Sequence, residues 1–428
     1  MCFLPEGMSA FLDVHDCGVQ LAAAKKAKTR KFYLMIDKVL WDYTPTGMDL
    51  YDGSNLMGEG SSKIKSKYFT AGKKRIGGTY KKFMYYGYKD SDFKERLYRW
   101  ESDKHLGFLG PVIRVEDNDV LQVTLFNNGS KPFSFYPYGL LPNDPKKVDK
   151  GGLHNKAVYP GSEHTYTFQV PPGGGSGKAP CSTSMYHSAV DPVRDIHTGL
   201  VGALLLCKKG SLDHDGNQKE GEERVLYPAV VGGNHSNLNV LLQKEGEERV
   251  LYPAVVGGNH SNLNVLLQKE GEERVLYPAV VGGNHSNLNV LLQKEGEERV
   301  LYPAVVDENL SWLIDDNIKQ FTIPEEVDRH DHEFWESNKM SAINGLMYAN
   351  MYGLEFCKWT KVFWQVFALG DEKDVEGLHF HGLNFEVEGR ISDTVPLLPG
   401  KTHALATKVS ESGQFTVLAY NHVHCPSV

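Results

Sequence analysis

An all-β fold is what the sequence predicts. Runs rich in β-branched and aromatic residues recur along it, Gly, Pro, Asn and Asp punctuate them, and 43 glycines with 20 prolines in 428 residues suit a loop-rich β protein. The strand-like runs fall at 32–39, 120–126, 164–170, 200–207, 362–369, 378–387 and 414–419. Residues 328–338 read as a short helix or an ordered loop. With 41% hydrophobic and 11% aromatic residues the chain can bury two ordinary cores. No apolar run is long enough to span a bilayer, so a membrane anchor is not expected within this chain. The formal charge of −8 gives no support to nucleic-acid binding. The one basic cluster, Lys25-Lys26-Ala27-Lys28-Thr29-Arg30-Lys31, reads as a solvated linker. Residues 171–178, rich in glycine, lack the first glycine and the hydroxyl residue of a phosphate loop and read as a flexible loop.

Between 219 and 306 the sequence repeats without change at a period of 25 residues, the shared unit starting at Lys219, Lys244, Lys269 and Lys294. Solenoid units also recur at such periods, but they drift in sequence and have atypical ends. Identity this complete points to a recent duplication or to an error in assembling the sequence. Removing three periods, 75 residues, joins Val231 to Asp307. The repeats are therefore expected to lie outside the sandwich core. Each unit also offers strands at Arg-Val-Leu-Tyr and Asn-Val-Leu-Leu, so an appended hairpin array is the alternative.

Chemistry concentrates in Asp374-Val375-Glu376-Gly377-Leu378-His379-Phe380-His381-Gly382. On a strand, His379 and His381 share a face, the arrangement of a metal clamp that suits copper, zinc, iron or nickel. The same pattern also describes two imidazoles hydrogen-bonded inside a sheet.

The surrounding sequence resembles the ceruloplasmin, hephaestin and coagulation factor V/VIII family of multicopper oxidase-type, plastocyanin-like domains. The resemblance runs through Arg30-Lys31-Phe32-Tyr33, Trp41-Asp42-Tyr43, Arg75-Ile76-Gly77-Gly78-Thr79-Tyr80 and His105-Leu106-Gly107-Phe108-Leu109-Gly110-Pro111-Val112-Ile113. It continues through Met185-Tyr186-His187-Ser188-Ala189-Val190-Asp191-Pro192, Asp307-Glu308-Asn309-Leu310-Ser311-Trp312 and Ala342-Ile343-Asn344-Gly345. It implies two cupredoxin-like Greek-key β-sandwiches, at 31–210 and 211–428, with the repeats at 219–306 set early in the second. Residues 1–17 look like the end of a preceding domain, 18–30 a linker, and the second domain looks truncated. Met1 to Cys17 does not have the pattern of a signal peptide.

The resemblance also implies copper as cofactor, ferrous iron and oxygen as substrates of the whole protein, and other cupredoxin domains as partners. It sets a demanding ligand test. The blue-copper pattern falls on Glu376, Ala419 and His424, and the cluster pattern on Tyr136, Tyr138, His187, Ala189, His379, His381, Leu418 and Tyr420. Most ligand types are thus missing, and the candidate metal residues are His379, His381, Glu376, His424 and His187. Cys181 and Cys207 match the family's intradomain disulfide, which fits an extracellular, oxidising compartment. Partners for Cys2, Cys17, Cys357 and Cys425 are not assigned. Glycosylation sequons stand at Asn128, Asn234, Asn259, Asn284 and Asn309. A non-catalytic scaffold, as in the coagulation-factor branch, is the alternative to a ferroxidase.

Overall fold

The computed structural model describes residues 27–58, 61–99, 101–142, 156–173, 179–213, 216, 297–369 and 376–421, with the backbone of six short strands between 230 and 294. The first sandwich comprises β1 (Thr29–Asp42), α1 (Lys63–Phe69), β2 (Thr79–Tyr88), β3 (Ile113–Glu116), β4 (Val120–Asn127), β5 (Tyr136–Pro137), β6 (Leu141–Pro142), β7 (Glu163–Gln169), β8 (Cys181–His187), α2 (Pro192–Thr198) and β9 (Val201–Cys207). One sheet runs β2-β1-β4-β7-β6 and the other β3-β9-β8-β5. β1 is parallel to β4 and β3 to β9, while the remaining pairs are antiparallel. Alternate residues such as Leu34 and Ile36 of β1 and Leu121, Val123 and Leu125 of β4 meet between the sheets.

β1 begins earlier than the alternation indicates, and the reason corrects the linker reading. Arg30 is buried, with its guanidinium 2.5 Å from Asp119 and 3.1 Å from Glu116. Buried charges are retained in a fold only when paired, so this cluster ties Thr29 to Lys31 into the sheet. At the other end of the domain, Cys181 and Cys207 are register partners on β8 and β9 and are joined by a disulfide. Leu212 packs on that disulfide and its N–H donates to Glu116, so the first domain continues past residue 210.

Between the domains lie β10 (Val230–Val231), β11 (His235–Leu242), β12 (Val255–Val256), β13 (His260–Lys269), β14 (Val280–Val281) and β15 (His285–Lys294). They form two three-stranded sheets, β10-β12-β14 and β11-β13-β15, in which each residue pairs with its own copy in the next repeat. The alternative of a hairpin array is not met, since these strands pair in parallel. Identical units one period apart meet in register, and parallel strands need the long crossover that a 25-residue period supplies.

The fourth copy behaves differently. Its Glu-Glu-Arg-Val-Leu becomes β16 (Glu297–Leu301), and its Pro-Ala-Val-Val begins β17 (Pro303–Asp307). The second domain then adds α3 (Ile314–Phe321), α4 (His332–Ser337), β18 (Lys339–Ile343), β19 (Lys361–Phe367), β20 (Glu376–His381), β21 (Phe385–Val387), β22 (Arg390–Ser392), β23 (Thr394–Leu397), β24 (Thr402–Lys408) and β25 (Thr416–Asn421). Its sheets run β16-β19-β24-β21-β22 and β23-β20-β25, with β17 paired to β18. β16 is parallel to β19, repeating the β1 to β4 relation of the first domain. Thus one copy of the repeat, the last, is part of the core: Val300, Leu301 and Tyr302 are buried.

Two local expectations change. The run at 378–387 is two strands, interrupted where Gly382 takes a φ of +79° that favours glycine. Within 328–338 the helix is confined to α4, whose Asp331 side chain accepts from the N–H of Glu333 at 3.1 Å.

Candidate metal positions and the domain junction

In the first domain, register brings Tyr136 of β5 opposite His187 of β8. Tyr136, Tyr138 and His187 form an aromatic triangle, with ring centroids 5.2, 5.8 and 5.4 Å apart. His187 is buried, its Nδ1 is 2.5 Å from the Ser188 carbonyl oxygen, and its Nε2 is 3.1 Å from the Tyr138 hydroxyl. The network fits a neutral ring that donates from Nδ1 and accepts the Tyr138 O–H at Nε2. Burial pushes His187 down to about 4 and Tyr138 up to about 12. At neutral pH the triangle is uncharged, and the lone pair a metal needs is already taken by a hydroxyl.

In the second domain, His379 and His381 of β20 share the exposed face, their ring centroids 5.9 Å apart. His379 Nδ1 lies 2.9 Å from the Thr394 hydroxyl and 4.0 Å from an Asp393 carboxylate oxygen. Opposite them on β25, Leu418 pairs with His379 and Ala419 with Leu378. Glu376 as a third ligand is corrected by the alternation of β20. Its unbroken pairing puts position 376 on the face of the buried Leu378 and Phe380, opposite that of the histidines.

His424, Cys2, Cys17, Cys425 and the sequons Asn234, Asn259 and Asn284 lie outside the described residues. Cys357 is a free, half-buried thiol raised by burial. Asn128 is exposed. Asn309 is not a free acceptor: its amide donates to Asp307 and the Trp335 carbonyl and accepts from Asn338.

These residues do not fit a blue-copper centre, which needs a thiolate with two imidazoles. Position 419 is alanine, and no cluster of three or more His, Cys, Asp or Glu able to hold a metal occurs among the described residues.

What the fold does assemble with care is the junction between the domains. The largest core cluster spans both, bringing Tyr43, Tyr80, Met84 and Phe108 of the first against Val300, Tyr302, Met340 and Phe367 of the second. At its centre Lys82 donates to Glu308 Oε1 at 2.5 Å and to the His197 carbonyl at 2.8 Å, with both side chains fully buried. Tyr43 donates to the same carboxylate oxygen at 2.6 Å, and Oε2 has no partner. Burial pushes Glu308 up and Lys82 down. Nearby, His105 Nε2 accepts from the Val300 N–H, and Asn344 bridges the His105 and Val300 carbonyls. A Cβ on Gly107 would strike the Asn344 carbonyl, and one on Gly345 would strike Phe108. In the sequence Lys82 stands beside Lys81 in β2, and nothing local distinguishes the buried lysine from its neighbour.

A multicopper oxidase family model matches residues 105–211. Mouse (Mus musculus) ceruloplasmin is 32% identical over 97% of this chain and 33% of its own length. A human (Homo sapiens) protein named ferroxidase HEPHL1 is 32% identical over 98% of this chain and 30% of its own. Mouse hephaestin is 31% identical over 95% and 29%. Among solved structures, a copper nitrite reductase from Nitrosomonas europaea superposes with a TM-score of 0.45 at 12% identity, over 91% of this chain and 88% of that one. With the paired sandwiches, the sequence matches make this chain a member of the multicopper oxidase family, whose cofactor is copper. Its relatives within that family are ceruloplasmins and hephaestins, and the chain spans about a third of the length of the curated relatives it matches.

Proposed function

We propose that the chain is a domain pair of a ceruloplasmin- or hephaestin-like ferroxidase. The whole protein would oxidise ferrous to ferric iron one electron at a time, with oxygen reduced to water. The observation carrying this reading is the identity of 32% along 98% of the chain to a relative that is named a ferroxidase. In this reading the pair holds no complete copper centre of its own. Alanine at 419 cannot act as a ligand, and the Tyr136, Tyr138 and His187 triangle fills a cluster position with neutral, mutually packed rings. The contribution of these residues is mechanical: Lys82, Glu308, His105 and Asn344 fix the two sandwiches relative to one another. The Cys181–Cys207 disulfide supports an extracellular setting, with Asn128 as an accessible glycosylation site.

The same triangle favours a second reading, a cupredoxin scaffold used for protein binding, as in the coagulation-factor branch. The sequence of the flanking regions separates the two: a complete His-Cys-His segment and intact H-x-H pairs there favour the ferroxidase. The test on the chain itself is spectroscopic. Loaded with copper, it should be colourless and should oxidise ferrous iron no faster than a metal-free control. A strong blue band in the visible would overturn the assignment of position 419.

A further inference from the structure

A cleft of about 480 Å³ opens beside the first sandwich, and none of the candidate metal residues lines it. Its walls are the start of β1, the end of β2 and the segment from Arg96 to Arg99, which folds back so that the Leu97 N–H donates to the Gly87 carbonyl at 2.8 Å. Its size is that of a small-molecule site.

Its charge is at odds with the rest of the protein. The chain carries a formal charge of −8, yet Lys28, Lys31, Arg96 and Arg99 line this one opening. Among the described residues, none of the four has a carboxylate within ion-pair distance. Arg30 and Arg114 also line the cleft, but Arg30 is neutralised by Glu116 and Asp119 and Arg114 by Glu298. Asp103 is the acid among the lining residues.

Two of the cations are held in place before any ligand arrives. The Arg96 guanidinium lies 3.4 Å from the centre of the Tyr86 ring, a stack that orients its N–H edge. Arg99 donates to the carbonyls of Gly107 and Leu109, which occupy part of its five-donor fork. Burial chiefly pushes Arg99 downward, with the neighbouring Arg96 acting in the same sense and Tyr186, Tyr86 and Asp103 against it. Apolar surface from Phe32, Leu97 and Pro111 completes the walls.

We propose that this cleft binds a compact organic anion through a multiply charged oxyanion group, with Arg96 and Arg99 as planar forks and Lys28 and Lys31 as flexible point charges. Guanidinium groups match both phosphate and carboxylate geometry, so the shared chemistry is an oxyanion of at least two charges. The site is separate from the proposed copper chemistry and does not depend on it.

Calorimetric titration of the full chain with pyrophosphate and with citrate tests this. Saturable binding is expected, weakening as salt is raised, and the tighter of the two probes assigns the phosphate or the carboxylate class. Arg96→Gln and Lys31→Gln, both at exposed positions, should each weaken binding by about tenfold, the cost of one charge-assisted contact. Lys74→Gln, an exposed change outside the cleft, should leave it unaltered. Absence of saturable binding for both probes would overturn the proposal, as would equal weakening by Lys74→Gln and Arg96→Gln. Unchanged melting of the variants shows that a lost affinity is not lost folding.

Discussion

The first and second sandwiches treat their candidate metal residues in opposite ways. In the first, Tyr136, Tyr138 and His187 are packed into one another and His187 is buried, whereas in the second, His379 and His381 stand on an open face with one hydroxyl and one distant carboxylate for company. The strand pairing is of the same kind in both places. The difference lies in what completes each imidazole. A phenol satisfies His187 and makes it part of the core, while His379 is bonded to the Thr394 hydroxyl and stays partly open to solvent.

The largest effect should come from what the two domains share. Lys82→Met leaves Glu308 as an uncompensated buried carboxyl and should cost about 3–5 kcal/mol. Adding Glu308→Leu should recover most of it, as chemical unfolding of the two variants will reveal. If the single change is silent, the junction does not hold the domains and each must be judged alone.

His187→Ala should come next, at about 2–4 kcal/mol for a buried, doubly bonded ring. His379→Ala should cost under about 0.5 kcal/mol. Equal losses would erase the distinction between core and open imidazole. With zinc or copper present, His379→Ala should instead abolish a weak metal-dependent rise in melting temperature that His187→Ala retains.

A pH series sharpens the same contrast. The unfolded chain protonates His187 near 6.5 and the folded one near 4, so this group makes stability rise with pH across that window. Asp195, buried with its carboxylate accepting from Ser188, Trp312 and two backbone N–H groups, is raised to about 6 from 3.8, chiefly by desolvation. Its native state holds a proton that the unfolded chain releases, so its contribution falls as pH rises through that range. Between about 4 and 6 the two slopes oppose one another. His187→Ala should therefore leave stability falling with rising pH where the parent is flatter. Paired denaturation curves at pH 4.5 and 6 would register the change of slope; no difference between parent and variant would contradict the burial argument.

The smallest effect concerns the repeats. Excising 75 residues at the period keeps one copy to form β16 and β17 and should alter second-domain stability by less than about 1 kcal/mol, because loop length enters closure entropy only logarithmically. Failure of the shortened chain to fold would make the parallel array part of the core.

Much of the strand content is readable in the sequence, since β4, β9 and β19 carry the alternating or continuous apolar runs of half-buried and buried strands. The turn inside 378–387 is hidden because apolar residues continue across Gly382, and only its positive φ reveals the break. Strand parity bears on Glu376: three positions separate it from His379, an odd number, and a strand reverses faces at each step. The junction was not readable. Lys82 and Glu308 are 226 positions apart, and nothing local to either names the other. The family motifs around His105 and Asn344 marked the right segments, but what those segments bind together requires the folded chain.

The clasp around Gly107 and Phe108 also sets a timetable for synthesis. Asn344 follows His105 by 239 residues, so at ~5–20 residues per second the ribosome completes the partner surface roughly 12–48 s after the first half has emerged. During that interval Leu106, Phe108 and Leu109 have no second domain to cover them. The 75 residues of extra repeat lengthen the wait by roughly 4–15 s at the same rate. Repeats whose excision is expected to change the finished fold little would thus weigh on the nascent chain, where a sticky surface must be shielded until its other half is made.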